Sequence, residues 1–201
     1  MIIALLACSP APGACVVTME WDSNADGTVE ERQVWTRDVA GNLLTYTDDT
    51  DGDGIVDERS TYTYDADGNM LSYEYDLNDD GRPDYSESWT YDATGHPTTQ
   101  EIDAQADGAV DGRNSFVYDD GGNLVELVYL PLAGDNHTVR YTYTYDTAHH
   151  LLAETRDIHD DGTVDVTTYT YDTEGNPLIE RHEYDEGGGT PFTITRTYTC
   201  P

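Results

Sequence analysis

Hydrophobic and polar residues alternate along most of this chain, and the alternating pattern returns every 27 residues. In one clear copy, Tyr62 and Tyr64 flank Thr63, and residues 71–75 read Leu-Ser-Tyr-Glu-Tyr. Because side chains of a β-strand point alternately to its two faces, the pattern predicts short strands with an aromatic face and a hydroxyl-rich face. No stretch repeats every 3.6 residues with helix caps, so we predict no helix.

Each repeat also carries a turn signature of aromatic, polar, aromatic, Asp, two further residues, Gly and Asn, as in residues 62–69. Gly and Asn tolerate the left-handed backbone of tight turns, and so does His, which replaces Asn as His96 and His150. The signature therefore predicts a hairpin turn. Its aspartates, called anchor aspartates below, are Asp38, Asp65, Asp92, Asp119, Asp146 and Asp172.

Aromatic residues stand three positions before each anchor aspartate, and we expect them to form cross-strand ladders in the core. They are Trp35, Tyr62, Trp89, Phe116, Tyr143 and Tyr169. Strands and turns together predict an all-β protein of tandem 27-residue β-hairpin repeats, forming an antiparallel meander that can coil or become solenoid-like. We assign residues 1–18 to a leader and residues 19–201 to a single array of about six units.

A second, acidic signature begins eleven residues after the anchor aspartate and reads Asp-x-Asp/Asn-x-Asp-Gly-x-x-Asp/Glu. Its Gly permits a sharp turn that brings alternate oxygen ligands together, and Ca²⁺ takes about 6 to 8 oxygens from such loops. We therefore predict calcium loops at 22–30, 49–57, 76–84, 103–111 and 157–165, the first, second, third, fourth and sixth loops. The candidate ligands are Asp22, Asn24, Asp26 and Glu30; Asp49, Asp51, Asp53 and Asp57; Asp76, Asn78, Asp80 and Asp84; Asp103, Gln105, Asp107 and Asp111; and Asp157, Asp161 and Asp165.

The acidic pattern has exceptions. The fifth loop, residues 130–138, begins with Leu130 and ends with Thr138 while the 27-residue spacing survives. In the sixth loop His159 is a poor calcium ligand, so either Asp160 replaces it or the loop binds less well. Only Glu87 stands at the twelfth position, where an EF-hand places its bidentate Glu. We therefore expect weak affinity, about 10⁻⁴ to 10⁻³ M, with water or a neighbouring repeat completing each site. The alternative is that the acidic loops are polar turns without metal.

The charge of the chain supports cation binding. It has 41 Asp and Glu against 9 basic residues, all Arg, for a formal net charge of −32. Such a field repels phosphates, so we predict no nucleic-acid partner. Five calcium ions would change the formal charge from −32 to −22.

The first residues read as an export signal. The apolar run before Cys8 resembles a bacterial lipobox, although it lacks a basic segment, and an apolar N-terminal strand is the alternative. We predict lipidation of Cys8 as the only membrane attachment, because no other run approaches the ~20 apolar residues of a spanning helix.

The two remaining cysteines, Cys15 and Cys200, flank the array. We predict that they form a disulfide in an oxidising compartment. The bond lies within one chain if the array brings its ends together, and otherwise links neighbouring chains. Two free thiols are the alternative.

The Tyr-x-Tyr-Asp-x-x-Gly-Asn core, as in residues 62–69 and 169–176, resembles the YD (Rhs-type) repeat of bacterial cell-surface and toxin-shell proteins. The resemblance covers about half of each unit over residues 35–180. It implies a long β-hairpin ribbon that can coil into a spiral sheet, and an extracellular setting. The chain differs by its inserted acidic loops, which resemble the first nine positions of EF-hand loops and the loops of dockerin and thrombospondin type 3 repeats. It has no room for a toxin domain or a protease-like core segment, so we do not expect it to encapsulate a toxin.

These features predict an extracellular, calcium-stabilised structural or adhesive protein of a bacterial surface. A subunit of an extracellular filament, joined head to tail with copies of itself, is the first alternative. A module that binds surface glycans on exposed aromatic rings is the second. We predict no enzyme, because we find no nucleophile elbow and no phosphate-binding glycine loop, and the six His are scattered over turns and loops.

Overall fold

The computed structural model describes residues 2–7, 15–131, 137–185 and 189–197, which form fifteen β-strands. No helix occurs among these residues, and so no helix there could cross a membrane. The strands are β1 Ile2–Ala7, β2 Cys15–Trp21, β3 Glu31–Arg37, β4 Leu43–Asp49, β5 Glu58–Tyr64, β6 Met70–Asp76, β7 Tyr85–Tyr91, β8 Pro97–Asp103, β9 Gly112–Tyr118, β10 Leu124–Leu130, β11 Val139–Tyr145, β12 Leu151–Asp157, β13 Asp165–Tyr171, β14 Pro177–Glu183 and β15 Phe192–Thr195.

The strands follow one another in chain order in one antiparallel sheet that is not closed. The predicted all-β hairpin meander is therefore confirmed. Its contacts divide into two compact units: one holds β1–β7 with residues 101–111, and the other holds β9–β15 with residues 92–100. Strand β8 contributes to both units.

A register shift lies beside the hairpin turns in each unit. In the first unit the pairing shifts between Thr36 and Arg37, and again between Thr63 and Tyr64. In the second unit the same shift falls between Thr144 and Tyr145, and between Thr170 and Tyr171. The extra, unpaired residue lies on the second strand of each hairpin, six positions after the anchor aspartate, and forms a β-bulge that increases local twist at the turn. These bulge residues are Leu44, Leu71, Leu152 and Leu178.

The aromatic ladders form, but they do not enclose a core. In the first unit the ring centroids of Tyr62 and Tyr73 lie 5.1 Å apart, and those of Trp35 and Tyr46 lie 5.4 Å apart. No hydrophobic side chain among the described residues is buried. The expected core is therefore corrected to a row of half-buried rings, because a single sheet cannot cover its own aromatic face. The buried polar residues, each 4–8% exposed, are Asp48, Asp49, Ser60, Asp76 and Asp157.

Candidate metal-binding loops

The anchor aspartates organise the hairpin turns, which lie at one end of the strands. Asp65 Oδ1 accepts hydrogen bonds from the backbone N–H groups of Asp67 (2.9 Å) and Asn69 (2.8 Å), and its Oδ2 accepts one from Asn69 Nδ2 (2.9 Å). These bonds hold the pKa of Asp65 below its ordinary value, and the bond from the Asn69 side chain has the largest effect. The anchor carboxylates are thus engaged by their own turns.

Histidine replaces Asn in two of these turns and makes the same contact. His150 Nδ1 lies 2.9 Å from Asp146 Oδ2, and His96 Nδ1 lies 3.3 Å from Asp92 Oδ2. The ring nitrogen takes the position of the Asn amide, so the turn keeps its bond to the anchor carboxylate. This explains why His is accepted there.

The acidic loops lie at the other end of the strands, and the first residue of each loop organises it. In the second loop Asp49 is buried, and its two oxygens accept the N–H groups of Gly52 (2.8 Å) and Gly54 (3.0 Å). The bond from the Gly at the sixth position recurs in every loop that keeps the signature. Its lengths are 3.0 Å in Asp22–Gly27, 2.8 Å in Asp76–Gly81, 2.7 Å in Asp103–Gly108 and 2.8 Å in Asp157–Gly162.

The other ligand positions are held in a similar way. Asp53 Oδ1 accepts the N–H of Ile55 (2.8 Å), and Asp57 Oδ2 accepts the N–H (2.8 Å) and hydroxyl (2.6 Å) of Thr50. The bond from the second position to the ninth recurs from Ser23 to Glu30, from Leu77 to Asp84 and from Ala104 to Asp111. A carboxylate accepts about four hydrogen bonds or metal contacts, so these bonds orient the acids and leave capacity for an ion.

The loop backbone turns sharply at two positions. In the second loop Gly52 and Gly54, at the fourth and sixth positions, have φ angles of 73° and 88°. A glycine is expected at the sixth position, because glycine adopts a positive φ more readily than any other residue. The fourth position is also left-handed, although in the other loops it is not glycine. Its residues there are Ala25, Asp79, Ala106 and Asp160, with φ from 46° to 62°.

Two of the five predicted loops bring three acids together. The ligand oxygens of Asp22, Asp26 and Glu30 lie within 4.8 Å of one another, and so do those of Asp49, Asp51 and Asp57. Two oxygens bound to one Ca²⁺ lie at most about 5 Å apart, so each group matches the size of one calcium site.

The remaining predicted acids do not join such three-residue groups within the described ranges. Carboxylates repel one another when no cation lies between them, which opposes close grouping in so acidic a chain. These acids are Asp53, Asp76, Asp80, Asp84, Asp103, Asp107, Asp111, Asp157, Asp161 and Asp165.

Two further acids of the pattern have other partners. Asp160, the expected substitute for His159, is held by Arg140, with Nε–Oδ1 of 2.7 Å and a second bond of 3.2 Å to Oδ2. Asp160 thus has a cationic partner in this arrangement, and its role as a ligand stays a prediction. Glu87, the one acid at the twelfth position, accepts the Tyr85 hydroxyl at 2.5 Å on strand β7.

Sequence reasoning missed the Arg–Asp pairs between neighbouring loops. Arg59 makes two bonds to Asp79, of 2.6 Å and 3.2 Å, as Arg140 does to Asp160. Asp79 raises the pKa of Arg59, mainly through this hydrogen bond. In both pairs Arg precedes Asp by 20 residues, and this recurring spacing was the available signal.

A tyrosine–carboxylate cluster next to the second loop was also missed. Asp48, which is 8% exposed, accepts bonds from the Tyr46 hydroxyl (2.7 Å) and from Gln33 Nε2 (3.0 Å). Glu58 lies opposite Asp48 in the sheet and accepts the Tyr75 hydroxyl at 2.7 Å, which raises the pKa of Tyr75 to about 12. The cluster neutralises no charge, but it supplies hydrogen bonds to acids that stand directly beside the loop.

The structure describes one of the three cysteines. Cys15 is disulfide-bonded. Cys8, the predicted lipid site, and Cys200, the predicted partner of Cys15, lie outside the described residues.

Comparison with known proteins identifies the fold and no more. No family model matches the chain, and no curated protein matches it. The crystal structure of TcdB2-TccC3-TEV is similar with a TM-score of 0.55 and 19% identity, over 94% of this chain and 11% of that chain. The structure of TcdB2-TccC3 without its hypervariable C-terminal region is similar with a TM-score of 0.56 and 20% identity, over the same shares. The chain thus spans 11% of the length of these proteins and shares a repetitive β-fold with that part of them.

Proposed function

We propose that this chain is an extracellular structural or adhesive protein of a bacterial surface, and that its acidic loops bind Ca²⁺ which stabilises the β-hairpin array. One observation carries the proposal. The same hydrogen-bonded loop recurs five times, and in two copies the oxygens of three acids lie within 4.8 Å of one another.

Calcium is favoured over other cations by the ligands of these loops. The second loop offers carboxylate oxygens and backbone carbonyls on a short flexible segment, which suits the 6 to 8 oxygens of Ca²⁺. Mg²⁺ demands a stricter octahedral geometry with fewer ligands. Because Glu87 is bonded to Tyr85, water would complete the shell, which supports affinities of about 10⁻⁴ to 10⁻³ M. Calcium concentrations in that range occur outside cells, which supports an extracellular location.

The lack of buried hydrophobic side chains among the described residues supports a stabilising role for bound ions. Without a closed core, the array depends on strand pairing and on loops that carry many negative charges. An ion bound to the folded state at ten times its Kd stabilises that state by about 1.4 kcal/mol, and several such ions add up. The bound charge also reduces repulsion between neighbouring loops.

Calorimetric titration of the full chain with CaCl₂ tests this proposal. We expect binding of several ions and a higher melting temperature in 5 mM Ca²⁺ than in EDTA. Asp51→Asn should remove about one ion from the stoichiometry, because Asp51 belongs to the second acidic group. Asp67→Asn, the same charge change at an exposed hairpin turn, is the matched control and should remove none. Equal melting in Ca²⁺ and EDTA would refute the proposal.

A filament subunit is a second candidate, favoured by the open sheet. Within the described part of the chain, β15 is the last strand of the order and pairs on one side only, with β14. A strand edge of this kind can pair with a strand of another copy. Electron microscopy of the purified protein in calcium tests this candidate: fibres would support it, and monodisperse particles at high concentration would exclude it.

A further inference from the structure

Two histidines occupy loop positions at which no other loop has a histidine. The eighth loop position holds Val or Pro elsewhere, but His137 in the fifth loop. The third position holds Asn, Asp or Gln in the four other loops that keep the acidic signature and Leu132 in the fifth loop, but His159 in the sixth loop. The residues of the eighth position in the other loops are Val29, Val56, Pro83, Val110 and Val164. Those of the third position are Asn24, Asp51, Asn78 and Gln105.

The fold brings these two departures into contact. The ring centroids of His137 and His159 lie 4.6 Å apart at an interplanar angle of 86°, and both residues are exposed. Consecutive loops also touch elsewhere. Gly52, at the fourth position of the second loop, lies against Val29, at the eighth position of the first loop. The two histidines that depart from the repeat therefore contact each other across two consecutive loops, which indicates that they act together.

We propose that His137 and His159 form a second kind of metal site, for a borderline divalent transition-metal ion such as Zn²⁺. Imidazole nitrogen suits Zn²⁺, Ni²⁺ and Cu²⁺, whereas Ca²⁺ takes oxygen ligands. Replacing an oxygen at the third loop position by nitrogen therefore changes the preferred metal.

The geometry suits this class of ion. Zinc lies about 2.0–2.1 Å from a histidine nitrogen, so two imidazoles on one ion have nitrogens about 3.3 Å apart. Rings in contact with centroids 4.6 Å apart reach that separation by side-chain rotation alone. Asp157 and Asp161 belong to the same loop as His159, but in this arrangement their oxygens do not form a three-residue group with the two rings. Binding of the ion would therefore require these side chains, or water, to move into the third and fourth positions of a tetrahedral site.

The surroundings also favour a cation. The formal charge of the chain is −32, and two basic side chains described beside this loop already have acidic partners: Arg140 pairs with Glu126 and Asp160, and Arg156 with Asp165. The competing explanation is a plain edge-to-face contact between two rings, which contributes about 0.5–1.5 kcal/mol without metal. A titration separates the two explanations.

The experiment is a calorimetric titration of the full chain with ZnCl₂ in a buffer that holds 5 mM Ca²⁺ throughout. We expect one Zn²⁺ per chain with a Kd at least tenfold below that of any weaker binding to the acidic loops. His137→Val and His159→Asn, which restore the residues of the other repeats, should each weaken this event by more than tenfold. His96→Asn and His150→Asn restore Asn at hairpin turns and should leave it unchanged.

Two results would overturn the proposal: no tight Zn²⁺ event in the wild-type chain, or an event that survives both His137→Val and His159→Asn. Optical absorption of Co²⁺ bound in place of Zn²⁺ gives a second readout, since tetrahedral Co²⁺ absorbs far more strongly than octahedral Co²⁺. His137→Val and His159→Asn remove imidazole ligands that Ca²⁺ does not use, so this proposal and the calcium proposal can fail separately.

Discussion

Gly52 lies so close to the preceding loop that a Cβ atom on it would be 2.0 Å from the carbonyl oxygen of Val29. The first and second acidic loops therefore touch through their backbones. This contact leaves no space for a side chain, and it makes each of the two loops part of the surroundings of the other. A change in one loop is expected to reach its neighbour.

Gly52→Ala should destabilise the protein by more than about 2 kcal/mol, because it adds both a backbone clash and a left-handed φ of 73°. Gly54→Ala is the matched control. Gly54 has a φ of 88° but nothing within 4 Å of the added Cβ, so only backbone strain of about 1 kcal/mol applies. Urea unfolding measures both variants, and equal losses would contradict the close contact seen here.

The Arg59–Asp79 pair should couple the second and third loops. Its two bonds, of 2.6 Å and 3.2 Å, predict a coupling energy of about 0.5–1 kcal/mol in a double-mutant cycle with Arg59→Gln and Asp79→Asn. The exposed Arg181–Glu183 pair serves as the comparison and should show coupling near zero. A coupling energy of zero for Arg59–Asp79 would contradict the prediction that this ion pair stabilises the contact between the two loops.

The anchor aspartates should make stability depend on acid pH. The pKa of Asp65 is lowered from 3.8, mainly by the Asn69 side chain, so the folded state favours the carboxylate. Its contribution is therefore complete above about pH 4 and is lost as the pH falls through the lower folded value. Asp65→Asn removes this titration, so the stability difference from wild type should be largest above pH 4 and shrink as the pH falls below that. A difference that stays constant from pH 2 to 7 would contradict the assignment.

The disulfide of Cys15 decides between two outcomes at the N-terminus. Lipidation of Cys8 leaves Cys200 as the remaining cysteine, so we expect a linked Cys15–Cys200 peptide in non-reducing mass spectrometry of exported protein. A linked Cys8–Cys15 peptide would instead show that Cys8 carries no lipid. Gel mobility with and without reductant distinguishes a bond within one chain from a bond between chains.

Contacts between residues that are close in the sequence were accessible from the pattern alone. Asp65 bonds to positions two and four residues later, and Asp49 bonds to Gly54 five residues later. Their residue types recur at constant spacing, so the turn, the acidic loop and the strands between them could be predicted. The left-handed fourth loop position could not, because Ala25 and Ala106 carry no signal for that conformation.

By itself, the sequence determined the strands, the two kinds of turn and the acids that each loop offers, because these depend on spacing within one repeat. Only the tertiary structure decided which residues of neighbouring repeats meet: Gly52 with Val29, Arg59 with Asp79, and His137 with His159. It also decided that the aromatic rings remain half-buried. The physical reason is that these relationships depend on how consecutive loops nest and how one sheet face is covered, and neither is encoded in a two-residue period.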